Sequence, residues 1–183
     1  VMKEYDPETD QMLFYLPLSG SAFRKVYYDQ NLGRAVSKFI PSEDLIVPYS
    51  ATDLHSATRI THVINMPMND IRKLQQIGFY KDVDLDSGNM MADETDDIQE
   101  GIDELQGVKP SYDDDDTCKV HEIHTELDIE GFEDMNAEGE DTGIKLPYIV
   151  TIGNNKVLSI RRNYKENDQL KQRINYFVHY KFL

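Results

Sequence analysis

Charge is spread along this 183-residue chain in three unequal blocks, and that partition constrains the fold more than any motif does. Residues 1–80 carry 8 basic and 9 acidic side chains, residues 81–142 carry 3 and 23, and residues 143–183 carry 8 and 2. The middle block thus has a balance of −20 between flanks of −1 and +6. Like charges at that density resist burial in a common core. The sequence therefore predicts a domain whose first part is 1–85, whose acidic, loop-rich insert is 86–142, and which 143–183 completes. At −15 overall the chain would repel nucleic acid, although its last forty residues alone would not.

The hydrophobic content of 39% supports one core of modest size. There is no Trp, so eleven Tyr and seven Phe must supply the large apolar contacts. Cys118 is the single cysteine, which excludes an internal disulfide framework or a multi-cysteine zinc site and suits a reducing compartment. No run approaches the roughly 20 apolar residues of a membrane helix. The strand-like run Tyr176-Phe177-Val178-His179-Tyr180-Lys181-Phe182 reaches Leu183 without a turn signal, which predicts a region of a longer protein.

Period-two patterns dominate the flanks. Ala22 to Tyr28 and Ala35 to Ile40 predict a hairpin around 29–33, with Gly33 at positive φ. Ser42 to Val47, Thr58 to Met66, Lys119 to Ile129, Ile144 to Ile152, Lys156 to Asn163 and Asn175 to Phe182 predict further strands. Gln11 to Leu18 is an apolar run broken by Pro17, and Ser19-Gly20-Ser21 is a turn. Two short helices are predicted. One covers 68–77, with Ile71, Leu74 and Ile77 as its apolar stripe and Gly78 as a Schellman stop, Phe79 touching Leu74. The other covers 93–107 on Ile98, Ile102 and Leu105. The segment 131–141 is polar and predicts a mobile loop. The fold class is α+β, strand-rich, with antiparallel hairpins.

No catalytic motif emerges, and the chain is expected not to be an enzyme; no catalytic, cofactor or metal residue is assigned. His121 and His124 flank Glu122, but a zinc-protease helix needs histidines four apart on one face. Here they are three apart on an alternating segment, which puts them on opposite faces. Asp82, Asp84 and Asp86 open like a calcium loop, but Gly88 falls one position late and Asp93 stands where a bidentate Glu is needed. Asp113 to Asp116 reads as a solvated charge run. Cys118 beside it is a poor nucleophile, and a dyad with His121 or His124 has no supporting pattern. Arg161-Arg162-Asn163-Tyr164-Lys165 mixes basic and aromatic residues as a phosphate-binding surface can. Pairing with the chain's own acidic insert or a neighbouring subunit is the favoured expectation. No phosphate-cradling glycine loop and no GxSxG elbow is present.

Several stretches carry a family likeness: Leu16-Pro17-Leu18-Ser19-Gly20-Ser21-Ala22-Phe23-Arg24-Lys25-Val26-Tyr27-Tyr28-Asp29, the run 40–54, Asn69-Asp70-Ile71-Arg72-Lys73-Leu74 through Gly78-Phe79-Tyr80, Lys156 to Tyr164, and Tyr176 to Phe182. Over about 11–85 and 143–183 the chain resembles portal proteins, the head-to-tail connectors of short-tailed phages and prophages. The resemblance implies a ring of typically twelve subunits at one capsid vertex of the virion, assembled in the bacterial cytoplasm, through which double-stranded DNA is packaged and ejected. It implies other portal subunits, the large terminase subunit, and capsid and tail proteins as partners, with no membrane. This region would be an outer, wing-type piece that does not line the DNA channel. The −20 and +6 blocks could then meet across a heterologous ring contact. The alternatives are a generic α+β protein-interaction module and a weak divalent-cation-binding module.

Overall fold

The computed structural model describes residues 2–29, 32–85, 117–136, 138–168 and 170–182. It is an α+β structure of two antiparallel sheets and, among the described residues, two helices. The elements run α1 (Tyr5–Ser19), β1 (Ser21–Asp29), β2 (Arg34–Ile40), β3 (Leu45–Ile46), β4 (Arg59–Pro67), α2 (Met68–Gln76), β5 (Thr117–Leu127), β6 (Leu146–Gly153), β7 (Lys156–Arg162) and β8 (Phe177–Lys181). The smaller sheet has the order β2-β1-β8 and the larger the order β3-β4-β5-β6-β7.

The hairpins follow local chemistry. β1 and β2 pair from Phe23↔Ile40 to Asp29↔Arg34, and Gly33 closes the turn at φ 62. β6 and β7 are joined by Asn154 and Asn155 at φ 46 and φ 60, the two positive values that a type I′ turn requires and that Asn tolerates. α2 stops as a Schellman motif: Gly78 at φ 74 donates its N–H to Gln75 O (2.9 Å), and Phe79 donates to Leu74 O (2.9 Å). Its buried side differs from the expected stripe. Met68 and Ile71 are buried and Leu74 packs beside them, whereas Ile77 is 63% exposed because it is the C-cap, past the last helical turn.

At four places the structure corrects or adds to the sequence expectations. The run 11–18 is the second half of α1, which carries Pro17 in its last turn and ends at Gly20 in the left-handed region. The strand expected at 42–47 shrinks to β3, because Ser42–Asp44 coils into a 3₁₀ turn. The last strand, β8, whose partner no local pattern names, crosses to β1 and pairs from Ser21↔Lys181 to Lys25↔Phe177. Among the described residues of the loop expected at 131–141 and its flank, Asp134 accepts from both Thr142 and Lys171, and Asn136 Oδ1 accepts the N–H groups of Glu138 and Glu140. The helix expected at 93–107 and the acid run 113–116 lie outside the described residues.

α1 covers one face of the smaller sheet. Tyr5 stacks on the Arg24 guanidinium (4.6 Å), and Tyr15 meets Phe39 edge to face (5.4 Å). Glu8 accepts the Phe39 N–H (2.6 Å), which occupies a donor on the outer edge of β2. The opposite face of that sheet packs on the larger sheet through Phe23, Ile40 and Phe177 against Leu45 and Ile60. A second apolar cluster forms where α2 lies on the same larger sheet, joining Met68, Ile71, Tyr80, Leu85, Cys118, Val120 and Leu158.

Candidate functional site

Strand register sets a polar row between those two apolar clusters. Directly opposite residues on antiparallel neighbours share a face. His62 pairs with Glu122, Glu122 with Thr151, and Thr151 with Ser159, so one row crosses β4, β5, β6 and β7. The next row on that face holds Ile60, His124, Ile149 and Arg161. Ile60 belongs to the first apolar cluster and Val120, on the row beyond Glu122, to the second. The polar groups thus occupy a seam in the core.

Lys25 reaches this seam from the other sheet. Its ammonium donates to Glu122 Oε1 (2.5 Å), and both side chains are 12% exposed. His124 Nε2 lies 2.8 Å from the same oxygen, and Arg161 Nη2 is 3.8 Å from Oε2. Asn163, wholly buried, places Nδ2 3.5 Å from His124 Nδ1. The Phe177 ring caps the group, with its centroid 5.0 Å from that of His124 and 6.2 Å from that of His62. Arg161 also lies over the Phe79 ring at 4.6 Å.

Burial raises the Glu122 carboxyl, but the N–H of His124 and the ammonium of Lys25 outweigh it and hold the acid well below the usual carboxylate range. Burial lowers His124, against the pull of Glu122. Neutral His124 then donates Nε2–H to Glu122 and leaves Nδ1 to accept from Asn163. His62 has no such acceptor: burial, reinforced by Lys25, pushes it down to about 4. At neutral pH the seam therefore contains an ionised Lys25–Glu122 pair beside two neutral imidazoles. An ionised, fully engaged carboxylate is a weak general base, and neither buried hydroxyl, Thr151 or Ser159, is paired with a base in hydrogen-bond contact.

The residues weighed from sequence do not converge. His124 faces the seam and His121 the opposite side of β5. Cys118 is buried in the α2 cluster, with Sγ 3.3 Å from Asn154 Oδ1, and six residues along β5 separate it from His124. Asp82 and Asp84 are exposed; the carbonyl of Asp84 accepts from Lys156 (2.5 Å) and that of Val83 from Gln75 (2.8 Å). Asp86 lies outside the described residues, which contain no group of three potential metal ligands. Arg162 pairs with Glu166 (2.8 Å), and Asn163 is buried, so 161–165 is not an open basic and aromatic surface.

Sequence reasoning missed Lys25 and Glu122 altogether. Glu122 alternates with apolar neighbours on a strand whose better-buried face is Cys118, Val120 and His124, and that face was the signal available. The charge partition assigned residues 117–127 to the acidic middle, whereas they form β5, the central strand of the larger sheet. Pairing of the basic end with the chain's own acidic middle, one of the two expected arrangements, occurs at two places: Arg161 meets Glu122, and Lys171 meets Asp134. A surface cleft of about 510 Å³ lies elsewhere, between the loop of His55 and Ser56 and the segment of Lys171 and Arg173. Arg173 is already spent there on the carbonyls of Leu54 (2.9 Å) and Ala57 (2.7 Å). No protein-family model matches this chain, and no curated protein sequence does either.

Proposed function

We propose that this chain is a wing-type structural region of a phage portal subunit, contributing scaffold and assembly surface rather than catalysis. The observation that carries the reading is where the portal-like stretches fall. Residues 16–29 span the end of α1 and all of β1, 69–80 span α2 and its Schellman stop, 156–164 contain β7, and 176–182 contain β8. They supply β1 and β8 of the smaller sheet, most of α2 and the edge strand β7 of the larger sheet, not a cluster of reactive side chains, as suits a protein that works by shape and assembly. The polar seam supports the same reading, because its charges are engaged with one another between the layers. The outer side of α1 adds a surface suited to assembly: Leu13, Phe14 and Leu18 are 56%, 78% and 76% exposed.

In the proposed assembly the subunits form a ring at one capsid vertex, with terminase docking during packaging and tail proteins afterwards. The DNA channel would be lined by other parts of the protein. An antibody raised against this region and applied to opened virions tests the proposal. Gold label at a single vertex is the expected result. Label over the whole shell, or on the tail fibres alone, would contradict it.

A further inference from the structure

The Lys25–Glu122 contact ties the smaller sheet to the larger one, and the groups around it are arranged so that protons work against it. His62 is the half-buried flank of this arrangement. It stands opposite Glu122 on its own sheet, faces Lys25 and Lys38 from β1 and β2, and touches the Phe177 ring of β8. His124 lies on the next row, with Lys25, Arg161 and Arg173 as neighbouring cations and Tyr176 and Phe177 over it. Tyr27, Tyr80 and Tyr176 also lie around Glu122, and burial raises all three, which keeps them neutral. Among the described residues, the seam at neutral pH holds Lys25 and Arg161 against one ion-paired carboxylate, Glu122. Each added imidazolium adds to that excess of positive charge.

We propose that His62 and His124 make the Lys25–Glu122 contact an acid-release clasp, in which protonation separates the β2-β1-β8 layer from the larger sheet before the larger sheet itself opens. Two features give the device its direction. The cation-bearing partner, Lys25, is on the layer held by fewer strands. The larger sheet keeps its own hydrogen-bond ladder and the α2 cluster when that layer lifts. In the lifted state both imidazoles regain water and their ordinary proton affinity. Opening therefore becomes easier as pH falls from about 6.5, where an unperturbed histidine titrates.

Hydrogen exchange between pH 7 and pH 5, expressed as protection relative to the unstructured chain, tests this. Histidine, whose ordinary value is about 6.5, is the side chain whose charge changes most in that window. Protection of β1 and β8 amides is expected to fall by about tenfold or more per pH unit below 6.5, one proton per opening giving a factor of ten. Protection of β5 and β6 should change far less. His62→Gln should flatten the fall in β1 and β8. A parallel fall in both sheets, or an unchanged slope in His62→Gln, would overturn the clasp. Histidine ring titration by NMR in the wild-type chain gives an independent check should that variant fold poorly. His62 titrating well below 6.5 is required, and titration at or above that value would overturn the proposal.

Discussion

Glu122 is the residue on which most of the buried polar structure depends. Removing one partner of a buried ion pair leaves an uncompensated charge, at a cost of about 3–5 kcal/mol, whereas replacing both by apolar groups of similar size is often tolerated. Glu122→Ala should therefore destabilise by about 3 kcal/mol or more in urea unfolding, leaving Lys25 buried without its acceptor. Lys25→Met combined with Glu122→Leu should be clearly less harmful than Glu122→Ala alone. A Glu122→Ala variant within about 0.5 kcal/mol of the wild type would show that the pair is open to water. The same cluster fixes the sign of the pH dependence. His62 is depressed from 6.5 to about 4, so the unfolded chain binds more protons in that interval and stability is lost as pH falls through it. The full effect is about 3 kcal/mol at 1.36 kcal/mol per unit. Glu122, also depressed, adds its loss only below its unfolded value of 4.5. Urea unfolding at pH 7 and pH 5 should show the first part of this decline, smaller in His62→Gln.

Among the elements, α2 and the two tight hairpins are written in local chemistry and α1 is not. Gly78 sits at φ 74, where an added Cβ is disfavoured by about 1–2 kcal/mol. Nothing lies within 4 Å of the Cβ position, so Gly78→Ala should cost about that much and no more. A thermal melt lowered by a few degrees is the expected reading. The β1–β2 and β6–β7 hairpins were legible because Gly33 and Asn154-Asn155 mark their turns between alternating runs. α1 was illegible for a physical reason. Its sheet-facing side is Tyr5, Glu8, Thr9, Met12 and Tyr15, which bury through a cation–π contact, a strand-edge hydrogen bond and an aromatic pair rather than through an apolar stripe. Its obvious apolar residues, Phe14 and Leu18, face solvent. The partner of β8 was illegible too, since alternation says that Phe177 to Lys181 is a strand and nothing about its pairing with β1 some 150 residues earlier. Lys25 and Glu122 are separated by 97 positions, and no spacing rule joins them.

At the scale of the whole molecule, the smaller sheet and α2 share one face of the larger sheet, with an apolar cluster at each end and a polar seam between. The charge partition does not divide the chain as its numbers suggested, because the acidic middle contributes the central strand and its Glu122 and Asp134 are engaged with the basic end. In the proposed assembly, the exposed apolar side of α1 is a further candidate for a subunit contact. Phe14→Asp combined with Leu18→Asp should leave the fold intact, as both side chains are largely exposed, while weakening assembly of the full-length protein. Unchanged assembly would place the subunit contact elsewhere. The central claim, a region of a portal subunit, is tested most directly by native mass spectrometry of the full-length protein after assembly. The account predicts one closed species of about twelve copies with a central channel in companion electron micrographs. A monomer, or a dimer with no channel, across the assembly conditions would contradict it.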